Sequence, residues 1–110
     1  MPKKVKVSFV LPEKLQKELN ERIVLDGYNL KSKSKWVAEA IEQLFNLKNF
    51  IDLVKVNDTM VGFQKFESIL IDIKLKTQLE ESIIEIRRKY PEIEGVQSRI
   101  MRTAILQRLL

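Results

Sequence analysis

The chain contains no cysteine and no histidine. Without cysteine there are no disulfides and no thiolate chemistry, and a reducing cytoplasmic interior is the natural default. Without either residue the usual zinc ligands, the commonest general base and every Cys-His nucleophile pair are missing. Carboxylates such as Glu80, Glu81 and Glu85 fall at polar positions of a helix and form no recognisable site, so the expectation is a protein with no catalytic activity, metal or cofactor. Glycine and proline are scarce, three of each in 110 residues, and 45% hydrophobic content speaks against disorder and for a helix-rich fold. No apolar run approaches the roughly 18 residues of a membrane span, and the start MPKKVKVSFVLPEK lacks a signal-peptide cleavage pattern. The location these absences imply is the cytoplasm.

Twenty Lys plus Arg against fifteen Asp plus Glu give a net charge of +5, which suits a polyanionic partner but is also common in proteins that bind none. The residues from Lys4 to Leu11 alternate, with Val5, Val7, Phe9 and Leu11 on one face and Lys4, Lys6, Ser8 and Val10 on the other. This is the pattern of a half-buried strand. Pro12 ends it and presets a helix, and Leu15, Leu19 and Ile23 recur at spacing four, which predicts a first helix from about Glu13 to Asp26. Gly27 and Asn29 supply the break. Ser32 or Ser34 caps a second helix with the stripe Trp36, Val37, Ala40, Ile41, Leu44 and Phe45, which extends toward Val54 unless Asn46 and Asn49 interrupt it. Trp36, on that stripe, is assigned to packing.

Laid on itself at a shift of 64 positions, the chain matches. Val5, Val7, Phe9 and Leu11 fall on Ile69, Ile71, Ile73 and Leu75, and Leu15 and Leu19 fall on Leu79 and Ile83. In the second helix Ser34, Ala40, Ile41 and Gln43 meet Ser98, Ala104, Ile105 and Gln107, four identities. The expected fold is therefore mainly α with short β, as two tandem strand-helix-helix motifs. Residues 1–48 form the first, residues 68–110 a degenerate second, and the apolar connector 49–67 packs on the rest. At this shift the outward positions of the second strand are Ser68, Leu70, Asp72 and Lys74.

A lone strand cannot satisfy its own backbone groups, so each strand needs a partner, and two antiparallel strands make a ribbon. The partner is either the other repeat of the same chain or the equivalent strand of a second chain. A homodimer is favoured, because strand two would bring Asp72 onto the face that carries Lys4, Lys6, Ser8 and Val10. Such a dimer implies a palindromic operator, or direct repeats if dimers associate along DNA. The outward face suits the major groove, where Lys donates to guanine, Ser bonds either way and Val touches a thymine methyl. It equally suits a solvated strand whose lysines guard an edge. The run Ser32, Lys33, Ser34, Lys35 opens the second helix, where free amides and the helix dipole attract phosphate, although an ordinary capped helix reads the same way.

The segments VSFVLPEKL and SKSKWVAEAI, separated by a helix, closely resemble the ribbon-helix-helix regulators, the fold of small plasmid and phage repressors and many antitoxins. The resemblance covers about the first 45 residues and, more weakly, residues 68 to 110. Size and composition look similar to members carried by archaeal plasmids and viruses, for which the location would be the host cytoplasm. The resemblance implies that Lys6, Ser8 and Val10, with Lys4 at the edge, read bases, and that Ser32, Lys33 and Ser34 clamp phosphate beside Lys35. It implies a sequence-specific double-stranded DNA-binding transcriptional regulator, a repressor that occludes its promoter. In the second repeat Lys33 and Lys35 become Gln97 and Arg99 and Ser32 becomes Val96, so that repeat is expected to serve association. The alternative is an antitoxin or other protein-interaction module whose second half binds a protein partner.

Overall fold

Alternation and apolar stripes translate into a mainly α fold with two short strands, seen in a computed structural model that describes residues 3–57 and 60–110. Positions 58 and 59 of the expected connector lie outside the described residues. Strand β1 (Lys4–Pro12) runs into α1 (Glu13–Leu25), and after a 3₁₀ turn the chain enters α2 (Lys33–Phe45). A short α3 (Phe50–Val56) follows, then β2 (Gln64–Asp72), α4 (Ile73–Lys89) and α5 (Val96–Leu109). Pro12, at φ −64°, closes β1 and opens α1, whose first amide, that of Glu13, donates to the Phe63 carbonyl at 2.9 Å. Helix α1 ends in a Schellman motif: Gly27 takes φ 85°, the Tyr28 amide reaches back to Ile23 O and the Gly27 amide to Val24 O.

Helix α2 stops at Phe45 and does not continue toward Val54. Asn46 caps it, and the chain restarts as α3 after Asn49. The connector does pack: Val54 is fully buried, and the Phe45 and Phe50 rings meet edge-on at 5.3 Å. Its last residues, however, belong to β2, which begins at Gln64 and not at residue 68.

The two strands pair with each other inside one chain, antiparallel, from Lys4 opposite Asp72 to Pro12 opposite Gln64. Within the single chain the ribbon is intramolecular, which is the other of the two pairings the sequence allows. The register also corrects the repeat. Pro12 and Asp72 hold the same place before α1 and α4, a shift of 60, whereas Ser34 and Ser98 hold the same place in α2 and α5, a shift of 64. The difference lies in α4, which has 17 residues against 13 in α1, about one extra helical turn. A slip of four keeps a strand's alternation and nearly keeps a helix's face, so the single shift of 64 looked consistent while misplacing β2 and α4.

Both inner faces close over one core. Val7, Phe9, Leu11, Ile69 and Ile71 from the ribbon, Leu19, Ile23, Leu79 and Ile86 from α1 and α4, and Trp36, Ile41, Ile100 and Ile105 from α2 and α5 are all essentially inaccessible. The radius of gyration, 13.3 Å, is that of a single globule of this length, so the repeats fold as one body. No helix among the described residues is long and apolar enough to cross a membrane.

Candidate nucleic-acid interface

Opposite the core, the ribbon presents four facing pairs, Lys4 with Asp72, Lys6 with Leu70, Ser8 with Ser68 and Val10 with Phe66, and beyond them exposed Gln64, whose partner Pro12 is buried. Lys4, Lys6 and Ser8 are exposed and Val10 is half-buried, so the structure places the β1 side chains singled out from the sequence together on one outward surface. At its middle the Ser8 and Ser68 hydroxyls lie 3.0 Å apart. Opposite β1 the surface changes character: Phe66 is 78% and Leu70 49% exposed.

One of the outward positions expected for the second strand, Lys74, moves into α4, while Asp72 stays at the end of the ribbon opposite Lys4. Asp72 is the last residue of β2, and its carboxylate accepts the Leu75 amide at 2.8 Å as the N-cap of α4. Lys74 lies in the first turn of α4. Phe66 and Gln64 join the outward face, and sequence reading missed them. A shift of 60 carries the signal that would have found them, with identities at Ser8/Ser68, Lys14/Lys74, Leu15/Leu75, Leu19/Leu79, Glu21/Glu81 and Ile23/Ile83.

The ribbon's outer edges are sealed by the second helices, crosswise. The Leu70 amide of β2 donates to Ser34 Oγ of α2 at 3.0 Å, and the Val10 amide of β1 donates to Ser98 Oγ of α5 at 3.1 Å. Gln97 adds a bond to Ser8 O and Arg102 one to Val10 O. Strand edges covered in this way are closed to a further strand, leaving the outward face as the ribbon's free surface.

The helix-start group divides. Ser34 is bonded to the β2 edge. Lys33 is paired with Glu67 on the ribbon's inner side at 3.0 Å, where Gln16 also donates at 2.7 Å. Ser32 precedes α2 and its hydroxyl bonds to Asn29, while Lys35 is exposed with its ammonium 5.9 Å from the Tyr28 ring centre. Lys33 and Ser34 thus flank the ribbon, and Lys35 turns toward Tyr28. Trp36 is fully buried and donates to Asp26 at 2.8 Å, in keeping with a packing role.

No family model, no curated protein and no solved structure matches the chain.

Proposed function

We propose that this protein is a sequence-specific double-stranded DNA-binding regulator of ribbon-helix-helix type, a repressor that inserts the β1–β2 ribbon into the major groove. The observation that carries the reading is the ribbon itself. One of its faces is sealed in the core, both edges are bonded, and the remaining face offers Lys4, Lys6, Ser8 and Ser68 to solvent. Two strands lie about 4.8 Å apart and enter a groove about 12 Å wide without deforming it. Lysine donates to guanine O6 and N7, the serine hydroxyls bond either way, and Val10, Leu70 and Phe66 have the chemistry for thymine methyls. Lys31 and Lys35, exposed around the start of α2, favour the flanking phosphates.

Selection from random duplex DNA with the full chain, followed by binding across a salt series, tests this. One enriched motif, with affinity falling steeply with salt, is expected. Absence of any enriched motif would sink it. The second reading, a protein-interaction module, is favoured by a specific feature: Val61, Phe63 and Phe66 are 76%, 79% and 78% exposed, apolar surface of the kind that marks a contact with a protein partner. It predicts no motif and no salt dependence.

A further inference from the structure

Resting on the DNA-binding reading, we infer that a single chain reads a non-palindromic duplex, with a guanine-preferring half under one end of the ribbon and a thymine-preferring half under the other. A symmetric dimer presents identical residues on both sides of its centre and so selects a palindrome. Here the centre is Ser8 opposite Ser68, the pair that the 60-residue repeat maps onto itself. Moving outward, that mapping sends Lys6 to Phe66, Leu70 to Val10 and Lys4 to Gln64. One end of the ribbon therefore carries Lys4 and Lys6 beside Leu70 and Asp72, whose carboxylate is held by the Leu75 amide, and the other carries Phe66 with Val10, and Gln64 beside Pro12. The two ends ask for different bases.

The flanks repeat the polarity. The start of α2, bonded to Leu70 through Ser34, lies at the lysine end with Lys31 and Lys35 exposed around it. The start of α5, bonded to Val10 through Ser98, lies at the aromatic end, where Glu92 and Glu94 border the same cavity as Val10 and Gln64. Of the cations there, Arg99 donates to Val54 O and Lys55 O, Arg102 to Val10 O, and Lys55 sits 4.3 Å over the Tyr90 ring, while Lys14 and Lys65 are exposed. The lysine end adds Lys31 and Lys35 to the ribbon's own Lys4 and Lys6, whereas the aromatic end sets Glu92 and Glu94 beside its lysines. Because the strand partner is internal, the ribbon is complete in one chain.

The test is selection from random duplexes with the full chain, then stoichiometry and affinity on the selected duplex. The expected outcome is an asymmetric motif bound by one chain. Lys6→Ala should cost about tenfold and relax preference on one side of the centre only. Phe66→Ala, or deoxyuridine in place of thymidine, should weaken binding through the other side only. Lys6 and Phe66 are exposed, and the deoxyuridine arm needs no variant. A palindromic motif, or substitutions that act on both halves equally, overturns the inference while leaving DNA binding standing. If no motif is enriched, the DNA-binding reading fails and the inference with it.

Discussion

The Lys33 ammonium lies 3.0 Å from the Glu67 carboxylate, and both side chains are largely covered, 22% and 12% exposed. Repeat one has Val7 where Glu67 stands, and repeat two has Gln97 where Lys33 stands, so the pair exists only when β2 lies beside α2. A second copy of β1 in the place of β2 would set Val7 where Glu67 stands.

Lys33→Ala leaves Glu67 with the Gln16 amide alone, and the expected loss is about 1–3 kcal/mol in urea unfolding. Glu67→Gln instead releases the Lys33 charge beside the ribbon. Duplex affinity should then rise severalfold for all sequences and the salt slope should steepen by about one counterion. If Lys33→Ala leaves stability unchanged and weakens every duplex, Lys33 is the phosphate ligand implied by the family resemblance.

Much of this was legible in the residue pattern, and the failures share a cause. Strand β1, α1 and the α2 stripe are written in contiguous periodicity: Val7, Phe9 and Leu11, then Leu15, Leu19 and Ile23, then Trp36 to Leu44. Strand β2 is not. Its core-side positions are held by exposed Lys65 and half-buried Glu67 and its outward ones by Phe66 and Leu70, an inversion that a tertiary partner such as Lys33 makes tolerable for Glu67. Local alternation cannot report a partner 34 residues away. The outward residues of β1 were found because they share a strand with a clean buried face. Of those of β2, Ser68, Leu70 and Asp72 were found while Gln64 and Phe66 were missed, because the repeat was registered one helical turn too far, and Ser34 looked like a cap because its bond to Leu70 spans two repeats.

The position of Asp72 makes it a stability residue. Its carboxylate accepts the Leu75 amide at the start of α4, so Asp72→Ala should cost about 1 kcal/mol, and Asp72→Ser much less. Base preference in the duplex selection should stay unchanged. A shift in the selected motif with intact unfolding would instead make Asp72, opposite Lys4 at the end of the ribbon, a base-reading residue.

The attachment of α3 to the end of α4 should be pH-dependent. Asp52 accepts from the Tyr90 hydroxyl at 3.0 Å and from Lys89 at 3.4 Å. The Tyr90 bond first and Lys89 second hold its carboxyl below the ordinary value of 3.8. A depressed carboxylate contributes stability above its unfolded pKa and loses it as pH falls through the folded one. Lys89, raised above 10.5 chiefly by Asp52, contributes below its unfolded pKa and loses it as pH rises through the raised value. The contact should therefore be intact from roughly pH 4 to pH 10. Carboxyl NMR titration of Asp52 and amide exchange across Phe50–Val56 check this, and Asp52→Asn should remove the acid step.

The crossed serine bonds give the sharpest test of the ribbon's connectivity. Ser34 belongs to repeat one but holds an amide of repeat two, and Ser98 belongs to repeat two but holds an amide of repeat one. Ser34→Ala and Ser98→Ala should each cost about 1 kcal/mol and, at opposite edges of the ribbon, should add in the double variant. Amide exchange carries the discrimination. With β1 paired to β2, Ser34→Ala accelerates exchange at Leu70 and Ser98→Ala at Val10, each leaving the other amide protected. In a homodimer with β1 against its own copy, the residue facing Ser34 would be the partner's Val10, the equivalent of Leu70 under the 60-residue mapping. Acceleration at Val10 on substituting Ser34 would therefore refute the intramolecular ribbon, and with it the basis for an asymmetric site.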